Sequence, residues 1–245
     1  MFRTKKGRRL QKLDKDYAEH VREVKIRSLL CIIYFFVVLC VCCANAEKII
    51  DMSLEPCRSA GFCLISVRPG DSVIAGIIIV LALALLATLP FAFLQVTAFV
   101  LPAVKPSDVI KIRLIMYGVA LLFLAGILFS FYVILPFFFR FMSEYGRNRQ
   151  FTNDLSISEY VSFICDFSLC MGLVFQMPLL VISLWKFGLV DKSRLKKFRG
   201  IFYIFIFIGA ALITPPDVIS QLMVALPMIG LFETGNICGR FVMRR

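Results

Sequence analysis

Two kinds of residue are scarce in this chain, and each shortage narrows the functions open to it. Histidine occurs once among the 245 residues, so a histidine-rich metal centre is not expected. Charged residues make up only 18% of the chain, less than the roughly 25% of an average soluble domain. The sequence also lacks the glycine-rich, HExxH and GxSxG motifs of nucleotide-binding proteins, zinc proteases and hydrolases. We therefore expect no enzymatic activity, no cofactor and no metal.

Hydrophobic residues make up 60% of the chain and are concentrated in long runs without charge. A helix needs about 20 apolar residues to cross a hydrocarbon core about 30 Å thick. Four runs are of this order of length, and two shorter ones follow them. The long runs are 28–46, 72–104, 114–139 and 160–185, the last interrupted only by Asp166, and the short ones are 200–214 and 218–232. We expect an all-helical membrane protein with several transmembrane helices.

The last two helices are predicted to be short. Pro215 and Pro216 separate their runs, because two consecutive prolines cannot continue a helix. Each run has about 13 to 15 residues, or roughly 20 Å at about 1.5 Å per residue. Either the helices extend beyond the apolar runs, or the bilayer is thinner around them.

The distribution of basic residues predicts the orientation in the membrane. Of the 28 lysines and arginines, 22 lie in the N-terminal segment, the second and fourth loops and the C-terminal tail. The positive-inside rule then places both termini on the cytoplasmic side, with six transmembrane helices between them. The predicted parts are a basic N-terminal segment, 1–27, a six-helix domain, 28–239, and a basic tail, 240–245. The net charge of +12 fits contact with anionic lipid headgroups, and we expect no nucleic-acid partner.

Most of the nine cysteines lie in the apolar runs, where cysteine behaves as a small hydrophobic residue. Cys57 and Cys63 differ, because both belong to the first predicted outer loop. The sequence leaves open whether these two form a disulfide or remain free thiols.

Five motifs occur in order between residue 20 and about residue 240. They are His-Val-Arg-Glu-Val-Lys-Ile-Arg at 20–27, Phe-Val-Leu-Pro at 99–102 followed by Asp108, Gly-x-x-Phe-x-Phe-Tyr-x-x-x-Pro at 126–136, Gly-Leu-x-Phe-Gln-x-Pro at 172–178 and Thr-Pro-Pro-Asp-Val-x-x-Gln at 214–221. In type, order and spacing they resemble the TatC family of twin-arginine protein translocases. Two departures stand out: Lys25 replaces an arginine, and the segment 105–108 replaces an aromatic residue followed by Glu-Arg.

The resemblance implies a concave bundle of six helices that acts as a receptor and assembly platform. Such a protein binds the twin-arginine signal peptides of folded proteins and assembles with single-span subunits of the TatA and TatB type, as a homo-oligomer within a larger complex. Proton-motive force drives the export. The implied location is the bacterial inner membrane, with the mitochondrial inner membrane or the thylakoid membrane as alternatives.

The resemblance also implies a signal-peptide site formed by Glu23 and Asp108, with Lys25 and Phe99 beside them. Carboxylates suit this role because the arginine guanidinium is planar, charged and matched to their geometry. Three of these residues have a plainer alternative. Glu23 could form an exposed pair with Arg27 four residues later, Asp108 could cap the third helix, and Lys25 could anchor the first helix at the membrane margin.

A second group is implied for the concave face and the partner subunits. Gln176 lies near the middle of a span, where its amide must face protein or water, and an interhelical hydrogen bond is the alternative. Asp217 follows the two prolines and is also suited to cap the last helix. The group comprises Gln176, Gln95, Gln221 and Asp217, and Pro102, Pro136, Pro215 and Pro216 are assigned structural roles. Asp166 receives no function.

A small-molecule or ion transporter is the alternative function. It would be expected to contain internal repeats and paired broken helices at mid-membrane. The two halves of this sequence show no such repeat.

Overall fold

The computed structural model describes residues 3–100, 109–148, 154–186, 192–214 and 218–242, which are almost entirely helical. Apart from two three-residue strands and short turns, the described chain consists of helices, so the prediction of an all-helical membrane protein is confirmed. The elements are α1 (Arg3–Ala44), α2 (Ala46–Ser59), β1 (Cys63–Ile65), α3 (Asp71–Val100), α4 (Val109–Phe129), a π-helical segment (Ser130–Ile134), α5 (Leu135–Asn148), β2 (Asp154–Ser156), α6 (Ile157–Val174), α7 (Met177–Lys186), α8 (Lys192–Ile213) and α9 (Val218–Val242).

Five helical stretches in the described part of the chain are long and apolar enough to cross a membrane. A sixth apolar helix is shorter. The five are Val21–Ala44, Asp71–Val96, Ile112–Arg147, Ile157–Ser183 and Gln221–Gly239, and the shorter one is Arg199–Leu212. The described residues of the six predicted runs therefore lie almost entirely in helices, and the six-span topology stays a prediction.

Helices α8 and α9 extend beyond their apolar runs, as one of the two alternatives predicted. They have 22 and 25 residues, respectively. The extra length of α8 precedes residue 200 and contains all five of its lysines and arginines. Only its apolar part, Arg199–Leu212, is short. Similarly, the predicted boundary between residues 27 and 28 lies inside the continuous helix α1.

The third apolar run belongs to one helical stretch that changes its hydrogen bonding before Pro136. The N–H of Leu135 donates to the carbonyl of Ser130, five residues earlier, which is the π-helical pattern. Proline lacks the N–H that would continue the α-helical ladder. The π-helical segment therefore lets the helix continue through Pro136 into α5.

The predicted outer loops contain structure that hydropathy does not predict. Hydropathy and charge indicate a loop over 47–71, but most of this region forms the amphipathic helix α2, which buries Leu54, Pro56 and Cys57. Strands β1 and β2 pair in parallel, with Cys63 opposite Asp154. Because the first and third loops meet in this sheet, they lie on the same side of the membrane, in agreement with the charge distribution. Cys57 and Cys63 are both free thiols.

Helix α6 packs against α3 and α4. The hydroxyl of Tyr160, near the start of this helix, donates to the carbonyl of Ser53 in α2 over 2.6 Å. Further along, α4 approaches α6 at Gly126, where an added Cβ would lie 2.6 Å from the carbonyl oxygen of Met171. A glycine is therefore needed for this close approach. Tyr160, Phe167 and Met171 are almost fully buried.

Candidate functional site

A charged pair lies in α1, next to the end of α3. The Nε and Nη2 atoms of Arg27 donate to the same oxygen of Glu23, Oε1, over 3.1 and 2.6 Å. The four-residue spacing places both side chains on one face of the helix. The plainer role predicted for Glu23, a pair with Arg27, is therefore present in the structure.

The guanidinium of Arg27 also connects α1 to α3. Nη2 donates to the backbone carbonyl of Ala98 over 2.8 Å, and Nη1 donates to Oε1 of Gln95 over 3.4 Å. Ala98 lies in the last turn of α3, where backbone carbonyls have no partner within their own helix and favour a nearby cation. Arg27 thus joins the two helices and fixes the position of the Glu23 carboxylate.

A groove of about 310 Å³ runs along this part of α1. It is lined by Arg22, Glu23, Ile26, Arg27 and Leu30. The side chain of Glu23 is 31% exposed, and its second oxygen, Oε2, receives no hydrogen bond from the described residues. The groove therefore offers a fixed carboxylate with one available oxygen, next to apolar side chains. A guanidinium or an ammonium group suits such a site.

The structure places two other predicted signal-site residues on the same two helices. Phe99 is half-buried in α3 immediately after Ala98, and Lys25 is exposed on α1. The resemblance groups Gln95 with the concave face, but its side chain contacts Arg27. The four-residue spacing of Arg27 from Glu23 indicates their pair, but no sequence signal indicates the bonds from Arg27 to α3. Five predicted residues lie outside the described part of the chain: Asp108, Pro102, Pro215, Pro216 and Asp217.

Gln176 lies at the break between α6 and α7. Helix α7 starts at Met177, directly before Pro178, and proline is well tolerated in a first helical turn. The Nε2 atom of Gln176 donates to the carbonyls of Val119 and Gly172 over 3.2 and 3.3 Å. Its Oε1 atom is buried and has no hydrogen-bond partner among the described residues. Gln176 therefore connects α4 to α6 and leaves one buried acceptor without a partner among the described residues.

The last two helices are joined by polar side chains at both ends of their contact. The Nε2 atom of Gln221 in α9 donates to the carbonyl of Phe207 in α8 over 2.9 Å. Further along α9, Glu233 accepts from Nη2 of Arg199 over 3.0 Å and from the hydroxyl of Tyr203 over 2.6 Å. These contacts show that α8 and α9 run antiparallel. Sequence reasoning missed the bonds to Glu233.

Comparisons with known proteins give one family. The family model for "Sec-independent protein translocase protein (TatC)" matches residues 19–227. Among curated proteins, the TatC protein of Helicobacter pylori (strain J99) is 29% identical over 228 residues, which cover 93% of this chain and 90% of that protein. The TatC protein of Aquifex aeolicus is 28% identical over 230 residues, which cover 93% of this chain and 95% of that protein. A solved structure titled "Crystal Structure of Twin Arginine Translocase Receptor- TatC" has a TM-score of 0.75 at 26% identity, covering 91% of this chain and 99% of that one. These relatives are translocase components, so the prediction of a non-enzymatic protein is confirmed. The chain belongs to the TatC family of Sec-independent protein translocase proteins.

Proposed function

We propose that this membrane protein is the signal-receptor subunit of a twin-arginine translocase. It recognises the paired arginines of a signal peptide at its cytoplasmic face. It then assembles with single-span subunits of the TatA and TatB type for export of folded proteins driven by proton-motive force. Family membership supports this proposal. The observation that carries it is the partly exposed Glu23 carboxylate, fixed beside the groove of α1.

The geometry around Glu23 suits one arginine of the signal. Arg27 occupies Oε1 of Glu23, so an incoming guanidinium binds Oε2. Because Arg27 already fixes the carboxylate, little side-chain freedom remains to be lost on binding. Ile26 and Leu30 line the same groove and contact the hydrocarbon part of the arginine side chain.

The second arginine is assigned to Asp108. Helix α3 ends at Val100, two residues after the Ala98 carbonyl that binds Arg27. Helix α3 therefore ends beside the groove. In this proposal Phe99 contacts the apolar part of the peptide. Lys25, which is exposed, anchors α1 among lipid headgroups.

We infer that partner subunits bind elsewhere on the bundle. Gln176 is assigned to the partner group; because its side chain joins α4 to α6 and its Oε1 atom is buried, it acts by holding the helices that a partner contacts. Gln221 and Gln95 donate or accept within the chain, so they act by positioning helices. Asp217 is assigned to the same partner group. We place the complex, with several copies of this chain, in the bacterial inner membrane.

The test is photo-cross-linking of the full-length protein in membrane vesicles to a signal peptide. A photoreactive residue at Ile26, which lines the groove, is compared with one at Val24, which is exposed outside it. A twin-arginine peptide should cross-link from position 26 and a twin-lysine peptide should not. Glu23→Gln should weaken binding about 10-fold or more, because a hydrogen bond to a charged group is lost.

Glu55→Gln is the matched control. Glu55 is an exposed carboxylate on α2, which packs at the opposite end of α3 from Glu23, and its loss should leave cross-linking unchanged. Equal cross-linking of both peptides, or full binding by the Glu23→Gln protein, would show that Glu23 is not the arginine site.

A further inference from the structure

Helix α6 presents a face that points away from the helices against which it packs. Its first half is polar, because Glu159, Ser162 and Asp166 are all exposed. Leu169, which is half-buried, and Leu173, which is exposed, continue the face. Spacings of three, four, three and four residues place these five side chains on one side of the helix. The opposite side is buried: Tyr160, Val161, Ile164, Phe167, Ser168, Met171 and Gly172. The three polar side chains therefore lie on the outer surface of the bundle.

Asp166 lies within the membrane-spanning part of α6 and not at its margin. The apolar stretch Ile157–Ser183 contains it. Interhelical contacts fix its level, because the rings of Phe138 and Phe163 stack with centroids 5.0 Å apart, and the hydroxyls of Ser130 and Ser168 approach within 3.5 Å. Asp166 lies between these two levels, about 9 Å beyond Tyr160 at about 1.5 Å per residue. Asp166 is thus well inside the stretch that is long and apolar enough to cross a membrane.

Nothing in the described part of the chain satisfies this carboxyl group. No hydrogen bond or ion pair joins Asp166 to another described residue. Arg140 is exposed and directly follows Phe139, whose ring contacts that of Tyr160, so it lies nearer the outer margin. A carboxyl group facing lipid at this depth is unfavourable, and such residues commonly pair with another polar group.

We propose that this face of α6 binds a transmembrane helix of a partner protein that carries a lysine or arginine at the level of Asp166. A single helix fits because the positions of the face follow the 3.5-residue repeat along which two helices pack. Ser162, one turn before Asp166, is small and allows close approach of the partner backbone. Leu173, which is 53% exposed, continues the same seam into the apolar half of the span.

Charge complementarity identifies the occupant. A cation is the group that an otherwise unpaired carboxylate at hydrocarbon depth attracts most strongly. A second copy docked symmetrically through this face would oppose Asp166 to Asp166, which is unfavourable for two carboxylates. The surface is also separate from the proposed signal site. Glu23 lies at the end of α3 that contains Ala98, whereas α6 begins at β2, which pairs with the strand before α3.

The experiment measures energy transfer between the labelled full-length protein and synthetic helices in phosphatidylcholine vesicles. The host is a leucine–alanine helix of about 20 residues, with charged tails that fix its orientation. One peptide carries lysine at the depth of Asp166, and the controls carry leucine there or lysine near the inner margin. We expect the matched lysine peptide to bind at least about fivefold more tightly than either control.

Asp166→Asn should abolish this preference, and Asp166→Lys should transfer it to a peptide with glutamate at the same depth. Glu159→Gln, a change on the same face at the outer margin, should leave it intact. The thermal unfolding midpoint of Asp166→Asn should match that of the wild type, because Asp166 acts on a partner. Equal binding of all peptides, or a preference that survives Asp166→Asn, would overturn the proposal. Energy transfer between two copies of this chain would also overturn the proposal if it disappeared in the Asp166→Asn protein.

Discussion

At the scale of single residues, Arg27 contributes more to this site than its charge. Its planar guanidinium makes four hydrogen bonds, which reach Glu23 in α1 and Gln95 and Ala98 in α3. Lysine keeps the charge but cannot reproduce this fork. We expect Arg27→Lys to lower the free energy of unfolding by about 1–3 kcal/mol, measured as a lower thermal midpoint in detergent.

Lys25→Gln is the control for that change. Lys25 lies two residues away and is exposed, so its replacement should alter stability by less than about 0.5 kcal/mol. Similar midpoints for Arg27→Lys and Lys25→Gln would mean that the bonds from Arg27 to α3 add nothing to stability.

The thiols of the outer loop provide a second prediction at this scale. Burial raises the pKa of the Cys57 thiol to about 11, whereas Cys63 is exposed. The thiolate is the reactive form, so Cys57 should react with iodoacetamide more slowly than Cys63 at pH 8. The raised pKa means that folding favours the neutral form of the Cys57 thiol. The stability that this preference contributes is present below pH 9 and is lost as the pH rises towards 11.

Peptide mapping by mass spectrometry after a short pulse of reagent measures both thiols in the unaltered protein. The modified fraction of Cys57 should increase between pH 9 and pH 11. Equal modification of the two cysteines at pH 8 would show that Cys57 is accessible, and resistance of both would indicate a disulfide.

At the scale of helices and strands, the apolar runs predicted the long helices, because about 20 consecutive apolar residues have few alternatives to a span. Hydropathy could not predict α2, which is short, amphipathic and contains Pro56. Nor could it predict the pairing of Cys63 with Asp154, since three-residue strands far apart in the chain carry no local signal. At the site, four-residue spacing predicted the bond of Glu23 to Arg27. The contact of Arg27 with Gln95 depends on how α1 and α3 align, which spacing alone does not specify.

The crossing of α4 and α6 gives a prediction for these elements. An added Cβ at Gly126 would lie 2.6 Å from the carbonyl oxygen of Met171 and 2.9 Å from the Cα of Gly172. Both neighbours are backbone atoms, so relief requires the helices to separate. Gly126→Ala should destabilise the protein by roughly 1–3 kcal/mol, seen as a lower thermal midpoint in detergent.

Gly230→Ala is the matched control for Gly126→Ala, because Gly230 lies in α9 with no heavy atom within 4 Å of an added Cβ. This change should be neutral or stabilise the protein by up to about 1 kcal/mol, since alanine favours the helix. A stable Gly126→Ala protein would mean that α4 and α6 are not closely packed at this point.

At the scale of the whole molecule, the short apolar part of α8 decides how many times the chain crosses the membrane. Arg199, in the first half of α8, bonds to Glu233, towards the end of α9, and the two helices run antiparallel. Helix α9 contains a 19-residue apolar stretch. If α9 crosses the membrane, the ends of α8 and α9 that meet at this bond lie on one side of it. The chain must then reach the start of α9 on the other side, so α8 also crosses. This argues for six crossings in spite of the length of α8.

Two native cysteines test that topology without any substitution. Cys63 in the first outer loop and Cys238 near the end of α9 are both exposed. Six crossings place them on opposite sides. A membrane-impermeant maleimide added to sealed right-side-out vesicles should therefore modify Cys63, and Cys238 should react only after the vesicles are opened. Modification of both from outside would mean that α8 does not cross and that five crossings place the C-terminus with the outer loops. Modification of Cys238 alone would instead reverse the orientation predicted by the 22 basic residues on the cytoplasmic side.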